Sequence, residues 1–376
     1  MNLALSDEQE FLREAARGTL SRFKTVEAAR DALEGGALPD LWPAAREAGW
    51  PGLLISEEHG GAGLGAFDAM LVAEECGRVL APVALLGVLP ATAILDAASF
   101  ADIEAVAAGT TRVAWLPARP PGDVLATWTV DARSGKARAA APSIEADADG
   151  VKITGEVAWV PDAPEADLLV VVGTGADGAP VAAAVEARAA GVTVERERGY
   201  DATRSLGHVR LQGARGERLD AGEDVLQRAW YLMQALIAAE SVGTVQTTLE
   251  MAVQYAKERF TFGRPIGSYQ AMKHGLTEVL RRLENSRSLL YYVGWSYQDA
   301  PDEFPLAASA ARSAAGAALD FATRQNIQTH GGIGATWEHD APLYFRRAQL
   351  SRRLVGGTAD ATDRVAERLL EQARAA

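Results

Sequence analysis

A single helical spacing runs from Leu249 through Val253, Ala256 and Lys257, breaks once, and resumes at Met272, Leu276, Val279 and Leu280. The break, RFTFGRPIGSYQ from Arg259 to Gln270, contains Gly263 and Pro265, which together force a turn. Two apolar-striped helices joined so closely must fold back on one another, so this stretch commits the surrounding chain to a bundle. The spacing predicts a helix–turn–helix joint. Its plain reading is a solvated arginine at a bend. Its functional reading is an arginine held near a phosphate, because a helix start supplies unpaired N–H groups.

The rest of the chain sorts by texture into an α+β protein. Residues 1–108 read as an amino-terminal helical domain. Ser6 and Gln9 form a capping box, and Phe11, Leu12, Ala15, Ala16, Leu20 and Phe23 follow on one face. The glycine run Gly60, Gly61, Gly63 and Gly65 is a loop between helices, since no strand precedes it and no lysine follows. Residues 109–220 carry short β-rich runs such as VKITGEVAWV and DLLVVVG, the pattern of a small barrel or sandwich. Residues 221–376 read as an antiparallel four-helix bundle, interrupted at the Arg259 turn, at Asp299–Pro305 and at His330–Pro342.

Composition narrows function by exclusion. A formal charge of -13 over 376 residues disfavours a nucleic-acid or anionic-membrane surface. One cysteine, Cys76, rules out an internal disulfide and fits a reducing cytoplasm. No apolar run suits a membrane span or signal peptide, so a cytoplasmic location is expected. His330 and His339 lack metal-site spacing and read as structural or solvated, so no metal is expected.

Several strings resemble the acyl-CoA dehydrogenase family. LSDEQ, the run GWPGLLISEEHGGAGLG and EECGRVLAP are similar to its amino-terminal helical domain. RFTFGRPIGSYQ resembles its R-x-x-FG-x-PI-x-x-FQ turn, and NIQTHGGIGATWEHDAPLYFRRAQ its Q-x-x-GG helix end. The resemblance implies FAD as cofactor, an acyl-CoA substrate and an electron-transfer flavoprotein as acceptor. It further implies that Arg259, Thr261, Phe262, Gln270, Gln328, Gly331 and Gly332 contact the FAD of an adjoining subunit, and that Trp159 packs near a flavin. Thr358 stands in the segment that follows the usual base position and joins these as a cofactor-side residue.

This copy also departs from the family. Proline stands at position 161, where the family's threonine bonds the flavin N5 edge, and Pro has neither hydroxyl nor N–H. The TEP-x-x-GSD loop is replaced by AWLPARPPGDVLATW. The family's two alternative positions for the carboxylate that removes the α-proton hold Gly356 and Met233, so no catalytic residue is assigned. Along a helix Asp360 lies about 6 Å from Gly356 and Glu240 about 10 Å from Met233, beyond the roughly 3 Å a general base needs. Gln234 stands where many members carry arginine. The pattern resembles the base-lacking partner subunit of actinobacterial heteromeric α2β2 enzymes acting on steroid side-chain CoA thioesters. Two alternatives stay open: a self-sufficient homotetramer with a relocated base, and a flavin-free acyl-CoA-binding or scaffolding protein.

Overall fold

The computed structural model describes residues 4–122, 125–133, 138–148 and 150–375. Helices come first: α1 (Asp7–Leu20), α2 (Thr25–Leu33), α3 (Trp42–Glu47), α4 (Ala66–Arg78), α5 (Leu85–Ala97) and α6 (Ile103–Ala107). Ser6 caps α1 in a reciprocal box with Gln9, as its spacing predicts. Strands follow: β1 (Val113–Leu116), β2 (Thr129–Val130), β3 (Ala139–Ala140), β4 (Ser143–Asp147), β5 (Gly150–Pro161), β6 (Leu168–Thr174), β7 (Pro180–Glu186), β8 (Val192–Arg196) and β9 (Leu206–Leu219). The path β6-β4-β5-β9-β7 returns to β6, which closes a barrel. β1 adds to β6 in parallel register and β8 to β9. β2 and β3 pair separately.

The carboxy-terminal part opens with α7 (Glu223–Glu258), whose 36 residues span about 54 Å. The hairpin strands β10 (Phe260–Thr261) and β11 (Arg264–Pro265) lead to α8 (Gln270–Asp299) and α9 (Phe304–His330). The fourth bundle segment is not one helix but two, α10 (Ala341–Ser351) and α11 (Gly357–Ala375). Val355, Gly356 and Gly357 all take positive φ between them, a conformation no helix continues through.

One continuous apolar core runs through the amino-terminal helices, the barrel and the bundle. The seam between α4 and α7 is closest at two reciprocal glycines. A Cβ on Gly77 would stand 2.0 Å from the Glu240 carbonyl oxygen, and one on Gly243 would stand 1.9 Å from that of Glu74. Only hydrogen fits at either position, which fixes where α7 crosses and hence which α7 residues face the barrel. Among the described residues no helix is long and apolar enough to cross a membrane.

Candidate functional site

The break after α7 is a β-hairpin and not the simple joint its spacing suggests. Phe262 and Gly263 take φ of 52° and 78°, the two left-handed residues of a type I′ turn, between the pairs Phe260–Pro265 and Thr261–Arg264. Gly263 is at ease there, whereas Phe262 accepts strain and leaves its ring 93% exposed. The base of the hairpin is fixed. Tyr269 donates its hydroxyl to the Thr261 carbonyl at 3.0 Å, the Arg264 guanidinium lies 4.0 Å over the Tyr269 ring, and Ile266 N–H donates to the Arg259 carbonyl at 2.8 Å. Arg264 is therefore used internally. Arg259 and Gln270 are exposed, and among the described residues Arg259 has no carboxylate partner.

The second motif meets the first at the same end of the bundle. α7 and α9 run side by side, and the Tyr255 ring, one turn before Arg259, lies 4.4 Å from that of His330 at the end of α9. Gln328, Gly331 and Gly332 are exposed. A Cβ built on either glycine meets nothing within 4 Å, so the glycines leave a bare backbone facing open space. Gly331 adopts φ 64° and ψ −139°, a conformation essentially reserved for glycine. Arg259, Thr261, Phe262, Gln270, Gln328, Gly331 and Gly332 thus share one end of the molecule.

Trp159 and Thr358 lie elsewhere. Trp159 has φ 58° in an irregularity of β5 between Val157 and Val160, its ring half-buried on the barrel. Thr358 begins α11 and packs on Gly316, 14 residues from the end of α9 or roughly 21 Å along it.

The two base positions converge although 123 residues separate them in sequence. Met233 is fully buried on α7, one turn from Trp230, and Gln234 donates to the Val355 carbonyl at 3.1 Å. A Cβ on Gly356 would stand 2.7 Å from an Asp360 carboxylate oxygen and 3.1 Å from the Trp230 ring. The Asp360 carboxylate is therefore beside Gly356, closer than helical rise alone suggests. It is also committed, because it pairs with Arg119 and lies 3.7 Å from Arg364 Nε. Arg364 in turn donates to the Pro120 and Pro121 carbonyls and to the Tyr231 hydroxyl, tying α11 to the AWLPARPPGDVLATW run. Asp123 and Val124 of that run lie outside the described residues. Trp115 packs edge-on against Trp230 with ring centres 6.4 Å apart, both buried. Glu240 forms a buried two-pronged pair with Arg204. Pro161 is buried too, its carbonyl pressed close to Gly87.

Sequence reading misses three groups here. Arg312 is wholly buried and supplies a guanidinium beside Gln234, donating to Gln234 Oε1 at 3.2 Å and to the carbonyls of Ser351 and Leu354 at the end of α10. Burial pulls it down to about 10, and the helix C-terminus offers it partial negative charge in place of a carboxylate. Arg119 is drawn by burial to about 10 as well, with Arg364 and Arg138 adding repulsion. Asp162, at φ 64°, accepts the Gly87 N–H of α5 at 2.7 Å, and burial pushes its carboxyl up to about 7. It borders a cavity of about 490 Å³ shared with Trp42, Val83, Arg112 and Arg204. The departure at Gln234 is the one available signal for Arg312; nothing local marks the other two.

Comparison with known proteins agrees with this architecture. Residues 6–102 match the acyl-CoA dehydrogenase N-terminal domain model and residues 220–370 the C-terminal domain model. The chain is 31% identical over 359 residues to acyl-CoA dehydrogenase IpdE2 of Mycolicibacterium smegmatis, covering 94% of this chain and 96% of that protein. Among solved structures it is similar to a variant of the Tcur3481-Tcur3483 steroid ACAD, with 26% identity, TM-score 0.84 and coverage of 98% of this chain and 99% of that one. The ChsE4-ChsE5 complex from Mycobacterium tuberculosis shares the fold at TM-score 0.85 and 23% identity, covering 99% of each chain. The chain belongs to the acyl-CoA dehydrogenase family of FAD-dependent oxidoreductases.

Proposed function

We propose that this chain is the partner subunit of a heteromeric acyl-CoA dehydrogenase, completing the FAD site of a homologous, base-bearing chain. The carrying observation is the contrast in state between its two sets of family residues. At the bundle end Arg259 is free of any carboxylate among the described residues, and Gly331 and Gly332 offer bare backbone. These fit a flavin dinucleotide held from outside: a cation for its phosphates and a backbone close to its edge. On the chain's own side the residues do not fit one. Pro161 offers no donor, and the ground around Gly356 is filled by Trp230, Trp115 and the Arg119–Asp360 pair.

In this reading the chain supplies positioning and the neighbour supplies the carboxylate that takes the α-proton. Arg259 and the bare backbone of Gly331 and Gly332 would help hold the FAD, which would supply the hydride acceptor for the β-hydrogen in forming an α,β-unsaturated acyl-CoA. A steroid-derived acyl group is the favoured substrate class, supported by the naming of the Tcur3481-Tcur3483 relative as a steroid ACAD. An electron-transfer flavoprotein is the acceptor this class of reaction calls for. A self-sufficient homotetramer would need a relocated base, and both Asp360 and Glu240 are held in buried ion pairs.

Co-expression with a base-bearing homologue tests the reading. An α2β2 assembly with two FAD is expected. Arg259→Ala in this chain should weaken flavin retention by about 10- to 100-fold, the loss of a charge-assisted contact worth about 1.5–3 kcal/mol. Four FAD per tetramer, or retention indifferent to Arg259→Ala, would sink it.

A further inference from the structure

The backbone that this reading brings to the flavin is mounted on three rings in tilted contact. His330 is buried at the end of α9, with Tyr255 of α7 at 4.4 Å on one side and His339 at 4.2 Å. The turn from Gly331 to Asp340 wraps over it so closely that a Cβ on Gly334 would stand 2.6 Å from the His330 Cβ. Each imidazole has its Nδ1 committed, and in opposite senses. His330 Nδ1 lies 2.8 Å from the Asn326 carbonyl, which can only accept, so this nitrogen carries the proton. His339 Nδ1 accepts the Ala341 N–H at 3.0 Å, so its proton sits on Nε2.

We propose that the His330–His339 pair is a proton-sensitive clasp on the flavin-contacting turn, closed while His339 is neutral and released when it is protonated. A proton on His339 Nδ1 removes the acceptor that caps α10 and places a cation at a helix N-terminus, where the macrodipole repels it. The charged and titratable groups around it are few. His330 from α9 and Arg30 from α2 both disfavour a cation there, and the Tyr255 ring of α7 packs against His330. Asp340 favours the cation but is already paired with Arg30. Burial acts in the same direction as His330, and together they hold His339 below its ordinary value of 6.5. The neutral form is thus the one the fold prefers. Stability from the clasp is present above the ordinary histidine value and is lost as pH falls below it, toward and through the lowered value of the folded chain.

Only the consequence for flavin rests on the proposed function; the clasp itself can be tested in this chain alone. Hydrogen exchange of the full-length chain, corrected for intrinsic rates, should show the amides of Gly334–Thr336 and of Ala341 losing about 10-fold protection between pH 7.5 and 5.5. His339→Asn keeps an acceptor for Ala341 and cannot titrate, so its protection should stay level across that range. Equal protection at both pH values in the unmodified chain, or the same loss in His339→Asn, overturns the clasp. In the assembly, acidification to pH 5.5 should release FAD from the unmodified complex and spare the His339→Asn complex. Flavin retained at pH 5.5 by a complex that does respond to Arg259→Ala overturns the link to the cofactor. No response to Arg259→Ala locates the failure in the proposed function instead.

Discussion

Arg259 and Arg119 carry the same guanidinium and stand in opposite states. Arg259 sits at an exposed end beside a strained hairpin and bare glycines, and has no carboxylate to hold among the described residues. Arg119 is largely buried against Asp360, in a wall completed by Trp115, Trp230 and Arg364. The first region pays for exposed aromatics and a left-handed phenylalanine without any return inside this chain, which points outward. The second region binds α11 to the barrel loops through the Arg119–Asp360 pair and the Arg364 bonds, although the indole N–H groups of Trp115 and Trp230 are buried there without a hydrogen-bond partner among the described residues. A family motif is therefore best judged by whether its groups are free or spent, and not by its presence alone.

The comparison breaks most visibly in turnover. The chain by itself should oxidise no saturated acyl-CoA above background, since loss of general-base help alone is worth about 10²–10⁴ in rate. Gly356→Glu should restore little, because the new side chain would run into Asp360 and Trp230. A large gain in a standard dye-reduction assay would mean that this wall is far more open than it looks.

Stability separates the two arginines next. Asp360→Ala strands Arg119 and should cost about 3–5 kcal/mol, read as a fall in the denaturant midpoint. Arg259→Ala removes an exposed charge that has no partner among the described residues and should change stability by no more than about 0.5 kcal/mol. Comparable losses from both would erase the distinction between free and spent groups.

A pH-dependent effect concerns Asp162, whose carboxyl is raised to about 7 by burial. Its folded value exceeds its unfolded one, so the fold prefers the protonated acid. That contribution is complete below the ordinary aspartate value of 3.8 and is lost as pH rises toward and through 7. Asp162→Asn stays neutral and can still accept the Gly87 N–H. It should therefore gain stability on the unmodified chain at pH 8, by up to about 1.4 kcal/mol for each unit by which the carboxyl is raised, and lose that advantage by pH 4. A gain independent of pH would assign the effect to something other than ionisation.

Part of the candidate site was legible before any fold. The strings that carry the family resemblance at Arg259, Gln328, Gly331 and Gly332 are contiguous in the sequence, and so are those that put Gly356 and Met233 at the family's base positions. Even there, spacing suggested a plain joint where a type I′ hairpin stands, because a two-residue turn with Phe at positive φ leaves no periodic trace. Spacing also treats His330 as structural or solvated, without distinguishing the two; it is buried, in tilted contact with the rings of Tyr255 and His339.

What the sequence by itself determined is what short-range geometry governs. Apolar stripes at helical spacing specify α7, α8 and α9; β-branched runs bounded by turn residues specify the barrel; Ser6 and Gln9 specify the start of α1. The tertiary structure alone decided which groups are free. Arg119 meets Asp360 across 241 positions, Glu240 meets Arg204, and α4 crosses α7 at Gly77 and Gly243. Helical and strand periods repeat every few residues and can be read locally. The partner of a buried charge depends on how whole elements pack, and burial makes that pairing obligatory, since an uncompensated charge in the interior costs several kcal/mol.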